Sequence, residues 1–193
     1  GLYGREHPTE SLEALRFLTQ HSSGEFAVRE FLRVDLRGTL AMMARWAEDE
    51  NEHVRRLASE GSRPRLPWSF RLEELVADPT PVAPILERLK ADPSLYVRKS
   101  VANHLNDVSK DHPDWMLARL RGWGLTNPHT AWIAKRAART LIKAGHPGAL
   151  RLFRFGGKPA VRVEDFKVAR TRLRLGGALE FSGRIVSTGR RTQ

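Results

Sequence analysis

Apolar residues recur at helical spacing in the middle of the chain, over residues 96–108. Successive residues of an α-helix are turned by about 100°, so this pattern places the apolar side chains on one packing stripe. The stripe contains Val97, Val101, Leu105 and Val108. A polar flank beside it contains Ser100, Asn103 and Asp107, and Lys99, Asn106 and Lys110 lie further round. The side turned away from the stripe therefore carries both signs of charge, which is a first indication of a functional site.

The same periodicity extends over residues 9–155, and Pro-containing turns divide it into eight or more predicted short helices. The first four are expected at residues 9–20 (capped by Thr9 or Ser11), 25–32, 35–47 and 52–59. Residues 22–25 resemble a capping box, in which a serine and a glutamate satisfy the first free amides of a helix. Residues 61–68 contain one glycine and two prolines, which predict an extended loop that also carries two arginines and Trp68.

Related helical segments recur along this tract. Val54, Val97 and Ile133 occupy equivalent positions, spaced by 43 and then 36 residues. These periods are typical of HEAT and armadillo repeats, which stack helix pairs into a curved superhelix with a concave side. We therefore predict an all-α, HEAT-like or armadillo-type α-α superhelix. The residues 36 positions after the polar flank of Ser100, Asn103 and Asp107 are all basic: Arg136, Arg139 and Lys143.

After Gly156 and Gly157 the period changes from that of a helix to that of a strand. Two or three β-strands are expected, at residues 161–163, 173–175 and 179–186, with a turn at 176–177. The predicted domains are therefore a helical-repeat domain over residues 1–157 and a short β-rich segment over residues 158–193. This segment contains nine Lys and Arg and three acidic residues, and it is too short to form a sandwich alone.

The chain is strongly basic, which favours a polyanionic partner. Its 193 residues contain 33 Lys and Arg against 22 Asp and Glu, giving a formal charge of +11. No apolar run approaches the roughly 20 residues of a membrane span, and no signal peptide is recognisable, so a soluble protein is expected. We further expect a cytoplasmic location, with which the lack of cysteine is compatible, and a monomer. The absence of cysteine excludes disulfides and thiol nucleophiles. The seven histidines are scattered and no phosphate-binding glycine motif occurs, so neither a metal nor a cofactor is expected.

Three acidic residues and one tryptophan are candidates for chemistry, and each also has a structural explanation. Asp107 near a helix C-terminus opposes the helix dipole, which favours a functional role, but Asp107 could pair with Lys110 or Lys143. The capping box would account for Glu25, and Glu60 could pair with Arg56 one turn earlier. Trp68 could stack on a base or sugar, or fill the core as the other helical tryptophans are expected to do.

Long motifs in the chain resemble the AlkC branch of the bacterial alkylpurine DNA glycosylases. They are HVRRLASEGSRPRLPW at 53–68, DPSLYVRKSVANHLND at 92–107 and KDHP at 110–113, together with EFAVREFL at 25–32, where this family often has Pro at the position of Glu30. The resemblance covers about residues 1–160. Residues 160–193 resemble the opening strands of the immunoglobulin-like domain that follows the repeats in that family, so both ends are expected to be truncated.

The resemblance implies a HEAT-like superhelix that holds duplex DNA and hydrolyses the N-glycosidic bond of cationic N3-methylated bases without a metal or cofactor. The expected substrate is 3-methyladenine, with 3-methylcytosine as a second candidate. By position, Glu25 and Asp107 match the family's active-site acids. Together with the basic face, the resemblance gives these predicted DNA-binding residues: Arg56, Arg63, Trp68, Lys99, Asn103, Lys110, Arg136, Arg139 and Lys143.

The predicted chemistry is electrostatic. A methylated base already carries a positive charge and leaves without protonation, so the enzyme has to stabilise the oxocarbenium sugar. The hypothesis requires the two acids to face one groove. It fails if they lie on opposite sides of the molecule, or if they are sealed in pairs with neighbouring cations and leave no room for a deoxyribose. Two alternatives remain open: a non-catalytic HEAT-like module that binds nucleic acid through the same face, and a protein-binding scaffold.

Overall fold

The computed structural model describes residues 4–155 and 160–189. The chain divides into two compact units, Gly1–Phe153 and Arg154–Gln193. The predicted break at Gly156 and Gly157, and with it the predicted domain boundary, lies outside the described residues. No helix in the described ranges is long and apolar enough to cross a membrane.

The secondary structure of the first unit consists of helices in its described part, as the periodicity predicts. Its helices are α1 Pro8–Leu18, α2 Glu25–Val34, α3 Leu36–Trp46, α4 Glu52–Gly61, α5 Glu73–Ala77, α6 Ala83–Leu89, α7 Leu95–Val108, α8 Pro113–Trp123, α9 Pro128–Ala137, α10 Arg139–Lys143 and α11 Pro147–Leu152, with a 3-10 turn at Thr80–Val82.

Two predicted helix starts are corrected by the structure. Helix α1 begins with Pro8 after His7, and neither Thr9 nor Ser11 caps it, because the Ser11 hydroxyl instead donates to the carbonyl of Gly4 at 2.9 Å. Helix α2 follows Gly24 and has no side-chain cap, so the predicted capping box at residues 22–25 does not form. By contrast, Asp35 caps α3 as predicted, accepting a hydrogen bond from the amide of Gly38 at 2.9 Å.

The packing follows the predicted repeats. Helix α7 packs against α4 on one side and α9 on the other, and α2 packs against α4. The three residues that the repeat spacing made equivalent, Val54, Val97 and Ile133, are all fully buried. A second set of helices, α3, α6 and α8, covers this layer. The unit is therefore a helical-repeat fold with the layer α2, α4, α7 and α9 through its middle.

Because α7 has a neighbour on both sides, its buried surface is wider than one stripe. The stripe of Val97, Val101, Leu105 and Val108 is buried as predicted, but so are Ser100 and Asn106. The Asn106 amide donates to the carbonyl of Ala137 at 2.8 Å and to the hydroxyl of Thr140 at 2.9 Å. The prediction that Asn106 lies away from the packing surface is therefore wrong.

The described part of the second unit is a two-stranded antiparallel sheet. Strands β1 (Val161–Val168) and β2 (Phe181–Ser187) pair with Val163 opposite Ile185 and Val168 opposite Phe181, and an irregularity lies between Glu164 and Lys167. Residues 173–175, predicted as a strand, are not extended in a ladder, whereas the turn at Gly176 is present with a φ of 83°. The immunoglobulin-like identity of this segment stays a prediction.

Candidate functional site

The two candidate acids belong to one continuous chain of charged side chains. We call it the ion-pair chain, and it consists of Glu25, Arg56, Glu60, Arg63, Asp107 and Lys110. Its members come from α2, α4, the loop after α4, α7 and the turn after α7. Residues up to 44 positions apart meet here, because the repeats place successive helices of the middle layer side by side.

Asp107 lies near the C-terminal end of α7 and is 4% exposed. Its Oδ2 accepts a hydrogen bond from Arg63 Nε at 2.8 Å and lies 2.7 Å from Arg63 Nη2 in the same ion pair. Its Oδ1 contacts Lys110 Nζ at 3.2 Å. Of the two partners considered from the sequence, Lys110 is therefore the one observed, and the described ion pairs of Asp107 do not include Lys143. The two oxygens are unequally engaged, since Oδ1 meets only an exposed lysine.

Glu25 is the first residue of α2 and is 8% exposed. Its Oε1 accepts a hydrogen bond from Arg56 Nη1 at 3.1 Å, and its Oε2 is buried without a hydrogen-bond partner among the described residues. The capping box does not form, so it cannot account for Glu25. The ion pair with Arg56 is the structural role that is observed for Glu25. A buried carboxylate oxygen without a partner is costly, so this oxygen is the unsatisfied acceptor of the pair.

Glu60 and Arg63 connect the two acids. Arg63 Nη1 donates to Glu60 Oε1 at 2.6 Å, and the same Glu60 oxygen lies 3.9 Å from Arg56 Nη2. Burial disfavours the charged form of Arg63, but the charges of Glu60 and Asp107 outweigh it and hold its pKa above the ordinary value. Arg63 is 7% exposed and its guanidinium is committed to carboxylates, which argues against the predicted contact between Arg63 and a DNA phosphate.

Most of the predicted DNA-binding cations on α7, α9 and α10 are more accessible to solvent than Arg56 and Arg63. Arg139 Nη2 donates to Asn103 Oδ1 at 3.3 Å, so α7 and α10 are joined at the position that the 36-residue shift indicates. Burial, and then the charge of Arg136, lower the pKa of Arg139. Arg136 lies over the Trp132 ring at 5.5 Å. Arg136, Lys99 and Lys143 are exposed, and the described ion pairs include none of them.

Trp68 does not fill the core. Its side chain is 98% exposed and its φ is 64°, in the left-handed region that non-glycine residues rarely adopt. The alternative of a core-filling Trp68 is therefore wrong. Of the helical tryptophans expected in the core, Trp46 is fully buried and Trp115, Trp123 and Trp132 are partly buried.

A fully buried arginine near this site was not singled out from the sequence. Arg29, on α2, donates from Nη1 to the carbonyls of Gly61 at 3.0 Å and Arg63 at 2.6 Å, and from Nη2 to the carbonyl of Phe70. Burial, and then the charge of Arg63, lower the pKa of Arg29 to about 10, so it stays charged at neutral pH. Its position between Val28 and the apolar pair Phe31 and Leu32 was the available signal.

The three described cavities, of about 380, 480 and 190 Å³, include neither Glu25 nor Asp107 in their linings. No group of three or more potential metal ligands occurs within residues 4–155 and 160–189. The fold and this site together define a basic helical-repeat protein in which three buried acids, Glu25, Glu60 and Asp107, are ion-paired along its middle layer.

Comparisons with known proteins agree with this class. The model of the family described as "DNA alkylation repair enzyme" matches residues 19–142. The chain therefore belongs to the DNA alkylation repair enzyme family, in its AlkC branch. The structure of an alkylpurine DNA glycosylase AlkC from Pseudomonas fluorescens, bound to DNA containing an abasic site analog, is 55% identical, with a TM-score of 0.91 over 97% of this chain and 52% of that one.

Two further relatives place the match in context. The uncharacterized protein YhaZ of Bacillus subtilis (strain 168) is 51% identical over 180 residues, which cover 93% of this chain and 50% of YhaZ. The crystal structure of AlkD2 from Streptococcus mutans is 28% identical, with a TM-score of 0.57 over 68% of this chain and 65% of that one. The chain thus spans about half the length of AlkC and of YhaZ.

Proposed function

We propose that this chain forms the catalytic part of a DNA glycosylase that hydrolyses the N-glycosidic bond of cationic N3-methylated bases in duplex DNA. The expected substrate is 3-methyladenine, with 3-methylcytosine as the second. Membership of the DNA alkylation repair family and the similarity to AlkC support this proposal. The observation that carries it is the pair of buried acids in one ion-pair chain, each with an incompletely engaged carboxylate oxygen: Glu25 Oε2 and Asp107 Oδ1.

In this proposal Asp107 stabilises the sugar. The departing base takes the bonding electrons and becomes neutral, and the positive charge passes to the oxocarbenium sugar. A carboxylate about 4 Å from that cation, at an effective dielectric constant of about 20, contributes about 4 kcal/mol. That energy corresponds to roughly a thousandfold in rate. Because Arg63 contacts Asp107 at Oδ2, through a hydrogen bond from Nε and the ion-pair contact of Nη2, we assign the stabilising role to Oδ1.

Glu25 has the complementary role of orienting or deprotonating the attacking water. Its Oε2 is the oxygen available as an acceptor, while Arg56 fixes the carboxylate through Oε1. General-base assistance of this kind contributes about a hundredfold or more. Arg56 and Arg63 are then positioning residues for the two acids, and the exposed cations Lys99, Arg136 and Lys143, with Arg139, take the phosphate contacts.

A non-catalytic DNA-binding module is the second candidate. It is favoured by a specific observation, namely that both acids are already paired with cations, as Asp107 is with Arg63 and Lys110. In that case the ion-pair chain would serve stability alone, and the basic residues would bind DNA without removing a base.

Release of 3-methyladenine from methylated duplex DNA separates the two candidates. The test compares the wild-type chain with Asp107→Asn and Glu25→Gln, and with Asp111→Asn as a matched control. Asp111 is also paired with an arginine, since Arg65 donates to it at 2.8 and 2.7 Å, but this pair lies at the exposed surface.

We expect Asp107→Asn to lower excision by about a thousandfold with DNA affinity retained, and Asp111→Asn to leave excision unchanged. If the wild-type chain binds duplex DNA and releases no base, the binding module is the correct function. If Asp107→Asn excises at the wild-type rate, Asp107 is not part of the mechanism.

A further inference from the structure

The buried Arg29 holds the loop that connects the acid site to the exposed tryptophan. This loop, residues 62–72, is called the Trp68 loop below. Arg29 contacts the carbonyls of residues on both sides of Trp68: Gly61 and Arg63 before it, and Phe70 after it. Its guanidinium carbon also lies 5.2 Å from the centroid of the Phe70 ring. One side chain of α2 thus fixes the two ends of the segment that carries Trp68.

Other contacts fix the same loop internally. The amide of Leu72 donates to the carbonyl of Pro64 at 3.1 Å, and that of Ser69 donates to the carbonyl of Leu66 at 3.3 Å. Leu66 and Leu72 are buried. The loop is therefore anchored on either side of a residue whose own side chain is almost completely exposed.

Burying a guanidinium without a carboxylate partner is expensive, because desolvation is not offset by an opposite charge. The described ion pairs include none for Arg29. Three carbonyl acceptors suit the planar fork of arginine, whereas a lysine ammonium is a point charge that cannot reproduce that geometry. A neutral side chain would cost less if stability alone were required, so the arrangement favours a geometric role.

We propose that Arg29 is a positioning residue that presents Trp68 to DNA and holds Arg63 against Asp107. The catalytic half of this statement rests on the proposed glycosylase function. Through the carbonyl of Arg63, Arg29 fixes the backbone from which the Arg63 side chain reaches Asp107. Through Phe70, it fixes the other end of the loop, so that Trp68 keeps its left-handed backbone and its indole remains available for stacking.

The test uses Arg29→Lys, which keeps the charge, and Arg29→Met, which keeps the apolar stem. Arg33→Met is the matched control. Arg33 lies on the same helix, and its guanidinium carbon is 5.0 Å from the centroid of the same Phe70 ring, but its side chain is half exposed and paired with Glu30. Circular dichroism establishes that each variant is folded, and Arg29→Lys decides the test if Arg29→Met does not fold.

The first measurement needs no catalytic activity. Hydrogen exchange of the peptide covering the Trp68 loop is expected to accelerate at least tenfold in both Arg29 variants, and not in Arg33→Met. Exchange in α7 is expected to stay unchanged. If the loop exchanges as slowly in a folded Arg29→Lys variant as in the wild type, the positioning role is wrong, whatever the chain does to DNA.

The second measurement is a double-mutant cycle of single-turnover base excision with Trp68→Ala. Arg29→Lys is expected to lower excision at least tenfold in the wild-type background and by a smaller factor in the Trp68→Ala background, where only its effect through Arg63 and Asp107 remains. Equal factors in the two backgrounds would mean that Arg29 does not act through Trp68, which contradicts the proposal. If the wild type itself releases no base, the glycosylase function fails, and the exchange measurement still decides the structural half.

Discussion

At the scale of single residues, Arg63 connects most of the candidate site. It donates to Asp107 and Glu60, and its own carbonyl accepts a hydrogen bond from Arg29. The residue therefore lies between the acid that would act on the sugar and the arginine that holds the Trp68 loop. Removing one partner of a buried ion pair leaves the other charge uncompensated, and the cost exceeds the net value of the pair itself.

Arg63→Gln is accordingly expected to lower the free energy of unfolding by about 3–5 kcal/mol. Arg65→Gln, in the same loop, removes an exposed pair with Asp111 and should cost less than about 1 kcal/mol. Urea denaturation of the two variants beside the wild type measures both values. Equal effects of the two substitutions would show that Asp107 is not held by a buried pair.

His104 gives a prediction about pH. It is fully buried on α7, its Nδ1 donates to the carbonyl of Ser59 at 3.0 Å, and its Nε2 has no partner among the described residues. Burial, and then the positive charge of Arg63, lower its pKa from 6.5 to about 3. Between pH 6.5 and about 3, His104 is therefore protonated in the unfolded chain but neutral in the folded chain. The free energy of unfolding falls as the pH falls through this range.

The slope from this group approaches about 1.4 kcal/mol per pH unit. We expect His104→Gln to make the pH dependence of the unfolding free energy shallower by up to one proton between pH 6 and pH 4. Urea titrations at several pH values measure the slopes. Parallel curves for the variant and the wild type would show that the pKa of His104 is not displaced.

At the scale of elements, α7 organises the helical unit because it packs against both α4 and α9. Its apolar stripe is buried along its whole length, while Leu95 at its start is exposed. The same helix therefore offers a buried leucine and an exposed one for comparison.

Leu105→Ala should lower the free energy of unfolding by about 2–5 kcal/mol, through lost burial and the cavity that remains. Leu95→Ala should change it by about 0.5 kcal/mol or less. Thermal or urea unfolding measures both effects. A small loss at Leu105 would mean that α7 is not the central helix of the unit.

The sequence predicts features that depend on nearby residues, but not those that depend on how helices from different repeats pack together. The stripe of α7 and the pair of Asp107 with Lys110 depend on short-range spacing along the chain. The stripe was predicted, and Lys110 was one of the two partners considered for Asp107. The contact between Arg63 and Asp107 spans 44 residues and depends on how neighbouring repeats dock, which periodicity does not determine. The exposure of Trp68 depends on how its loop is anchored. The contacts of Arg29 are with three backbone carbonyls, and every residue has a carbonyl, so the sequence carries no signal for them.

At the scale of the whole molecule, the excess of positive charge is the property most relevant to DNA. Part of it is compensated internally, because Arg56 and Arg63 are occupied by carboxylates. Under the proposed function, the cations expected to contact phosphates are Lys99 on α7, Arg136 on α9, and Arg139 and Lys143 on α10. Each phosphate contact contributes about 0.9 to the slope of log affinity against log salt concentration.

Arg139→Ala should therefore weaken DNA binding and reduce the salt slope by about one unit. Arg121→Ala, at an exposed position on α8 in the second set of helices, should leave the slope unchanged. Fluorescence anisotropy of a labelled duplex at several salt concentrations measures both slopes. An unaltered slope for Arg139→Ala would place Arg139 away from the DNA.

The ion-pair chain forms only when the helices of the middle layer have docked on one another. Its carboxylates and cations come from five separate segments of the chain, so no single repeat contains both acids and their partners. A partly folded chain would contain these charged side chains but would not bring them into contact. Any activity that requires the assembled ion-pair chain is thereby confined to fully folded molecules, and incompletely folded or misfolded copies would lack it.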